Sequence, residues 1–234
     1  MSATTTRRSF LVMTGVGLGL APAAPTLAQD DIDVPTVPPP KFATVLFEGK
    51  DLSAWVARNG GTAGWKAMGG YMEVVPGSGD ILTKQTFDDF QLHLEFWLPY
   101  LPEAKGQARA NSGVYLQGRY EIQVLDSYGL QSKENDCGAI YGIAAPLFNA
   151  CKKPQVWQKY DVAFRAPRFD VSGLLTEKAR VTVVQNSVMI HDNLELPSTT
   201  GGELDKQIEK PGPILLQDHG NLVRYRNIWI IPVK

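Results

Sequence analysis

Cysteine, histidine and long apolar stretches are what this 234-residue chain has least of, and each scarcity removes a class of function. Two cysteines, Cys137 and Cys151, are too few to close a structural zinc site. The three histidines stand apart, with no HxH or HExxH spacing to hold a catalytic metal. No glycine-rich phosphate loop follows a strand-like segment and no nucleophile elbow occurs, so cofactor-dependent oxidation and Ser-His-Asp acyl chemistry drop out. A net charge of -1 with scattered basic residues leaves no electrostatic footprint for nucleic acid or an anionic membrane. The apolar run over residues 11–20 is too short to cross a bilayer, so no stable membrane anchor is expected. The partner left by these exclusions is a small, roughly neutral molecule.

The N-terminus reads as an address. Thr6-Arg7-Arg8-Ser9-Phe10-Leu11 resembles a twin-arginine export signal, and Thr26-Leu27-Ala28 offers small residues for cleavage. Residues 1–28 are therefore expected to be a signal peptide and the mature protein periplasmic. Residues 29–41, acidic and then proline-rich, predict an extended linker. Residues 42–234 remain for one domain, ample for a large core. In an oxidising compartment the simplest expectation for Cys137 and Cys151 is a disulfide, worth about 3 kcal/mol in the chain-entropy account.

From residue 42 onward no apolar spacing of helical period is sustained. Short alternating segments separated by Gly, Pro and Asn predict about a dozen strands, an all-β class and a two-sheet jelly-roll sandwich with one sheet curved into a groove. Residues 90–98 are the clearest strand: Phe90, Leu92, Leu94, Phe96 and Leu98 share one face, and Gln91, His93, Glu95 and Trp97 share the other. An acid, an imidazole and an indole on one face suit a sugar, whose ring stacks on aromatics and whose hydroxyls need polar partners. Residues 138–143 and 156–165 predict further strands, and Gln185-Asn186-Ser187 a hairpin turn.

The stretch that organises the domain is NSGVYLQGRYEIQVLD, residues 111–126. It reads as a buried strand in which Glu121 and Gln123 share a face. Asp126 falls on the opposite face unless one extra residue, a β-bulge near Val124 or Leu125, turns it back toward Glu121. Its carboxylate spacing resembles the catalytic strand of lectin/glucanase-fold glycosidases, and two carboxyls in one cleft could serve a sugar as acid and base. Asn111 in the Asn111-Ser112-Gly113 turn is aimed at the mouth of that cleft. A second polar group is Gln217-Asp218-His219-Gly220, where an imidazole and an acid share one loop. His219 with Asp126 or Glu121 leaves a divalent cation open as a cofactor, although no ligand spacing calls for one.

Taken together, FEGKDLSAW (47–55), NSGVYL, YEIQVLD, GAIY, Lys153-Pro154, LLQDHG and Arg226-Asn227-Ile228 resemble, in content and order, the 3-keto-disaccharide hydrolase family, also described as 3-keto-glucoside-1,2-lyase and 3-keto-2-hydroxy-glucal hydratase. The resemblance runs from Phe42 to the C-terminus and implies a concanavalin A-like jelly roll. It also implies a reaction without a cofactor: a ketone at C3 acidifies the C2 hydrogen, a base removes it, the C1 substituent leaves, and water adds back. Such a reaction needs a base, an acid and a donor for the enolate oxygen. The resemblance selects the positions Glu121, His219 and Asp126 without dividing the roles among them; the expected division has Glu121 or His219 as base and Asp126 as the acid for the leaving oxygen. It places Asn111, Gln123, Lys153, Gln217, Arg226 and Glu95 around the substrate. A separate oxidoreductase would supply the keto sugar. A non-catalytic carbohydrate-binding module and a conventional two-carboxylate glycoside hydrolase are the competing readings.

Overall fold

The computed structural model describes residues 36–233; the export-signal segment and its cleavage site lie outside the described residues. In chain order the strands are β1 (Thr44–Phe47), β2 (Trp55–Ala57), β3 (Lys66–Met68), β4 (Tyr71–Glu73), β5 (Ile81–Thr83), β6 (Asp89–Trp97), β7 (Ser112–Leu116) and β8 (Tyr120–Val124). They continue with β9 (Gln158–Arg165), β10 (Arg168–Phe169), β11 (Leu175–Glu177), β12 (Arg180–Gln185), β13 (Val188–Glu195), β14 (Leu215–Leu216) and β15 (Arg224–Val233). An eight-stranded sheet runs β13-β12-β9-β6-β15-β4-β3, with β1 also paired to β15, and a five-stranded sheet runs β2-β5-β14-β7-β8. Every named pairing is antiparallel, and the only helix among the described residues is a 3₁₀ turn, Gly106–Ala108. The all-β, two-sheet sandwich expected from the alternating segments is what the chain forms.

The core lies between the sheets because alternation sends one side chain in two inward. Phe90, Leu92, Leu94 and Phe96 of β6, Tyr160 and Phe164 of β9, and Tyr225 and Ile230 of β15 meet Val114, Leu116, Tyr120 and Ile122 of the smaller sheet. Burying a side chain of this size contributes about 1.5–3 kcal/mol. Buried tyrosines carry polar tips across the gap: Tyr160 donates to the Gln123 carbonyl at 2.7 Å and Tyr225 to Ser112 Oγ at 2.7 Å. Both phenols are pushed upward by burial, so they remain donors and fix how one sheet sits over the other.

Three expectations are corrected. Residues 111–126 are a hairpin, because Gln117 and Gly118 both take positive φ, 51° and 67°, the conformation of primed hairpin turns. Residues 138–143 form only isolated bridges at Ile140, to Ile122 and Ala144. Cys137 and Cys151 are buried free thiols rather than a disulfide. The Cys137 sulfur lies 3.3 Å from Tyr160 Oη and accepts from Gln185 Nε2 at 3.3 Å, while Cys151 points to the Leu125 and Lys152 carbonyls. The proline-rich linker is exposed at residues 36–41, yet it is fastened: the Val37 carbonyl accepts from Asn227 Nδ2 at 2.8 Å and Trp229 Nε1 at 3.3 Å.

Phe96 is fully buried with its ring 4.8 Å from that of Tyr160, so it tests the shared core directly. Phe96→Ala is expected to cost about 3–5 kcal/mol, read as a lowered urea midpoint with an unchanged slope.

Candidate active site

Glu121 is carried by β8 between Tyr120 and Ile122, which both enter the core, so its carboxyl projects from the outer face of the five-stranded sheet. Its cross-strand partner is Tyr115, and its carboxyl leans over Gly113, whose own partner is Gln123. A Cβ at position 113 would lie 2.3 Å from Glu121 Oε1, so the glycine of the NSG motif is the space the carboxyl occupies. Loops then cover it. Thr200 Oγ1 accepts from the Glu121 amide at 2.9 Å, and Glu121 is left only 3% exposed.

Few groups compensate for this burial. Tyr115 Oη lies 2.9 Å from Glu121 Oε2 and 2.9 Å from the Gly201 carbonyl, and Gln217 Nε2 reaches it at 3.3 Å. Burial pushes the Glu121 carboxyl up to about 7; the Tyr115 hydrogen bond opposes this and the negative charge of Asp80 adds to it. Asp80 is held by Arg58 at 2.9 Å, and Arg58 also donates to the carbonyls of Gly202 (3.2 Å) and Glu203 (2.7 Å). One acid poised near neutrality in a nearly dry site can take and return a proton.

Beside this centre, Gln107 of the 3₁₀ turn accepts from both Gln123 Nε2 (2.9 Å) and Asn111 Nδ2 (3.1 Å), joining two expected substrate contacts. Asn111 Oδ1 and Gln217 Oε1 are buried acceptors without a hydrogen-bond partner among the described residues. Each costs about 1–3 kcal/mol unless something donates to it. Sugar hydroxyls are donors of that kind.

The expected site residues divide. Asn111, Gln123 and Gln217 do gather around Glu121. Asp126 comes to the same side because Val124 and Leu125 both turn into the core as the strand ends; the β7–β8 ladder itself has no register shift. Asp126 is not free, however: Arg109 Nη2 donates to it at 2.8 Å. His219 is exposed at the rim and its ring has no hydrogen bond among the described residues, while its neighbour Asp218 accepts from the Gly79 and Gly220 amides. Among the described residues no three His, Cys, Asp or Glu side chains are placed to hold a metal ion.

Glu95 and Arg226 lie on the other side of the molecule. They alternate with Leu94, Phe96 and Tyr225 of the core, so they face outward from the eight-stranded sheet, a full sandwich away from Glu121. There Arg226 Nε donates to Glu95 at 2.6 Å and its guanidinium covers Trp157 at 4.2 Å. Lys153 is exposed in the loop leading to Trp157. His93 belongs to this second face too: burial opposes its charge, but bonds and charges from Asp161 and Glu95 outweigh that and raise its pKa.

Sequence reading missed Tyr115, Arg58, Asp80, Thr200, Gln107 and Arg109. Tyr115 was within reach, since it alternates with Val114 and Leu116 and therefore shares the outward face. Arg58 and Asp80 arrive through the β2-β5-β14-β7-β8 order, Thr200 from the β13–β14 connection, and Gln107 and Arg109 from the 3₁₀ turn and the residue after it, ahead of β7.

Residues 42–231 match the model of the 3-keto-alpha-glucoside-1,2-lyase-like domain. The chain belongs to this family. Among solved structures, one described as a "putative glycosyl hydrolase" from Parabacteroides distasonis ATCC 8503 is 42% identical with a TM-score of 0.76, covering 82% of this chain and 84% of its own. A second, similarly described and from the same organism, is 20% identical at TM-score 0.59, covering 82% and 94%, and shares the fold. Among curated proteins none is significantly similar. Membership of this family makes the chain a 3-keto-alpha-glucoside-1,2-lyase-like protein.

Two outcomes follow from the Glu121 geometry. Gly113→Ala should displace the carboxyl and lower turnover about 100-fold while the far-UV spectrum stays unchanged, because misplacement of about 1 Å is enough. The raised carboxyl also costs stability: the penalty is absent below the ordinary value of 4.5 and complete above about 7. The stability of Glu121→Gln relative to wild type should therefore rise by about 3 kcal/mol between pH 4.5 and pH 8, measured by urea unfolding.

Proposed function

We propose that this protein cleaves 3-keto-glycosides by elimination and hydration, with Glu121 as the C2 base. The observation that carries this reading is a single buried carboxyl raised to about 7, while the second carboxyl, Asp126, is neutralised by Arg109. A conventional glycosidase needs two carboxyls divided between acid and base or nucleophile. Elimination beside a ketone needs one base, and a base near the working pH is the efficient one.

In the proposed cycle Glu121 takes the C2 proton and the electron pair moves into an enolate at C3. The C1–O bond breaks as the C1–C2 double bond forms, and the departing oxygen takes a proton from the rim, where His219 stands. Water then adds at C1, its spare proton restoring the rim donor, and Glu121, its own proton exchanged with that water, protonates C2, giving net hydrolysis. Arg109, held by Asp126, supplies a cation for the developing enolate oxygen. Asn111 Oδ1 and Gln217 Oε1 receive sugar hydroxyls, the donors these atoms lack.

The same reading places the mature protein in the periplasm after twin-arginine export. A separate oxidoreductase there would oxidise the C3 hydroxyl first, since the ketone makes C2 acidic.

The test is turnover of a 3-keto-glucoside and its unoxidised parent in deuterated water, followed by NMR at C2. Deuterium at C2 of the released keto sugar, with the parent untouched, is the expected result; release from both without exchange would refute the elimination route. Glu121→Gln should lower turnover by about 10²–10⁴-fold, the usual worth of a general base.

A further inference from the structure

Tyr115 has one proton and two acceptors. Its Oη is 2.9 Å from Glu121 Oε2 and 2.9 Å from the Gly201 carbonyl, and it can donate to only one of them. The choice depends on Glu121. An ionised carboxylate is the stronger acceptor and takes the proton, leaving the Gly201 carbonyl without it. A protonated carboxyl instead donates to the Tyr115 oxygen, which turns its own O–H to Gly201.

Gly201 belongs to the loop that covers the site. A Cβ at Gly202, whose φ is +77°, would lie 2.6 Å from Tyr115 Oη, so the loop and the phenol are in contact with nothing between them. With Glu121 3% and Tyr115 1% exposed, a sugar can reach the carboxyl only if covering chain moves.

We propose that Tyr115 is a positioning residue that couples the protonation of Glu121 to the closure of the residue 198–205 loop. Resting on the base role of Glu121, this coupling gives the reaction an order. The ionised, substrate-ready enzyme holds the loop loosely. Transfer of the C2 proton to Glu121 releases the Tyr115 O–H to Gly201 and tightens the loop over the unsaturated intermediate, which is thereby retained for hydration. Giving a proton back to C2 loosens the loop again and frees the product.

Charged groups nearby set the background. Arg58, paired with Asp80, binds the Gly202 and Glu203 carbonyls, and Arg119 binds Asp205 and the Lys210 carbonyl. These anchors keep the loop attached in both states. Within the loop Glu203 pairs with Lys206 at 3.8 Å, on the adjoining loop Asp218 accepts backbone amides, and His219 is the nearby imidazole to control for.

Amide hydrogen exchange on the substrate-free protein tests this without reference to catalysis. Protection of residues 200–204, corrected for intrinsic exchange, should fall by about three- to ten-fold as pH rises from 5.5 to 8.5, the loss of about one net hydrogen bond. The dependence should vanish in Tyr115→Phe and in Glu121→Gln and persist in His219→Gln. A pH-independent loop in wild type, or an undiminished dependence in Tyr115→Phe, would overturn the coupling. Because no substrate is present, failure here leaves the C2-exchange result standing, and the reverse is equally true.

Discussion

The site depends on one desolvated carboxyl on the outside of a sheet. Outer faces of sandwiches are ordinarily wet, and a carboxylate there would be a solvated side chain of ordinary acidity. Here the missing Cβ of Gly113 lets the group lie flat, and residues 198–205 close over it. Tyr115 donates too little to restore what water supplied, and the charge of Asp80 works in the same direction as burial. The reactivity of Glu121 is a property of its cover.

The sandwich separates this centre from an equally polar face. On the eight-stranded sheet, Glu95, Arg226, His93, Asp161 and Asn227 satisfy one another, with Trp229 stacked on His93 at 4.9 Å and 13°. That network is charged on both sides and internally paired, so it stabilises without leaving an acceptor open. The Glu121 face pairs its charges as well, Arg58 with Asp80 and Arg109 with Asp126, but leaves the buried oxygens of Asn111 and Gln217 without a partner among the described residues. Unmet hydrogen-bonding capacity, more than polarity, distinguishes the face suited to a ligand.

How much of this was legible follows from the range of each signal. Alternation in 90–98 and 120–124 told inward from outward correctly, and Gln185-Asn186-Ser187 marked its hairpin, with Asn186 and Ser187 at positive φ. Alternation cannot say which of two outer faces a residue occupies, which is why Glu95 and Arg226 were grouped with Glu121. The turn at Gln117-Gly118 escaped notice because Gln seldom takes positive φ. Arg58, Asp80 and Thr200 are separated from Glu121 by tens of residues and meet it only through sheet order and the β13–β14 connection. The thiols looked like a bridge by their number and compartment, but both stand as buried free thiols, hydrogen-bonded to Tyr160, Gln185 and backbone carbonyls.

The covering loop is held largely by its backbone. Arg58 reads the carbonyls of Gly202 and Glu203, Arg119 that of Lys210, and the Leu204 amide donates to Gly118 at 2.7 Å. These backbone anchors do not register the side chain at 203, whereas Thr200, Gly202 and Asp205 are each required, by the Glu121 amide, the Tyr115 phenol and Arg119. The chain thus has, beside its buried carboxyl, a segment in which positions 201 and 203 can be diversified in a library without releasing the fold, while 200, 202 and 205 hold the cover in place.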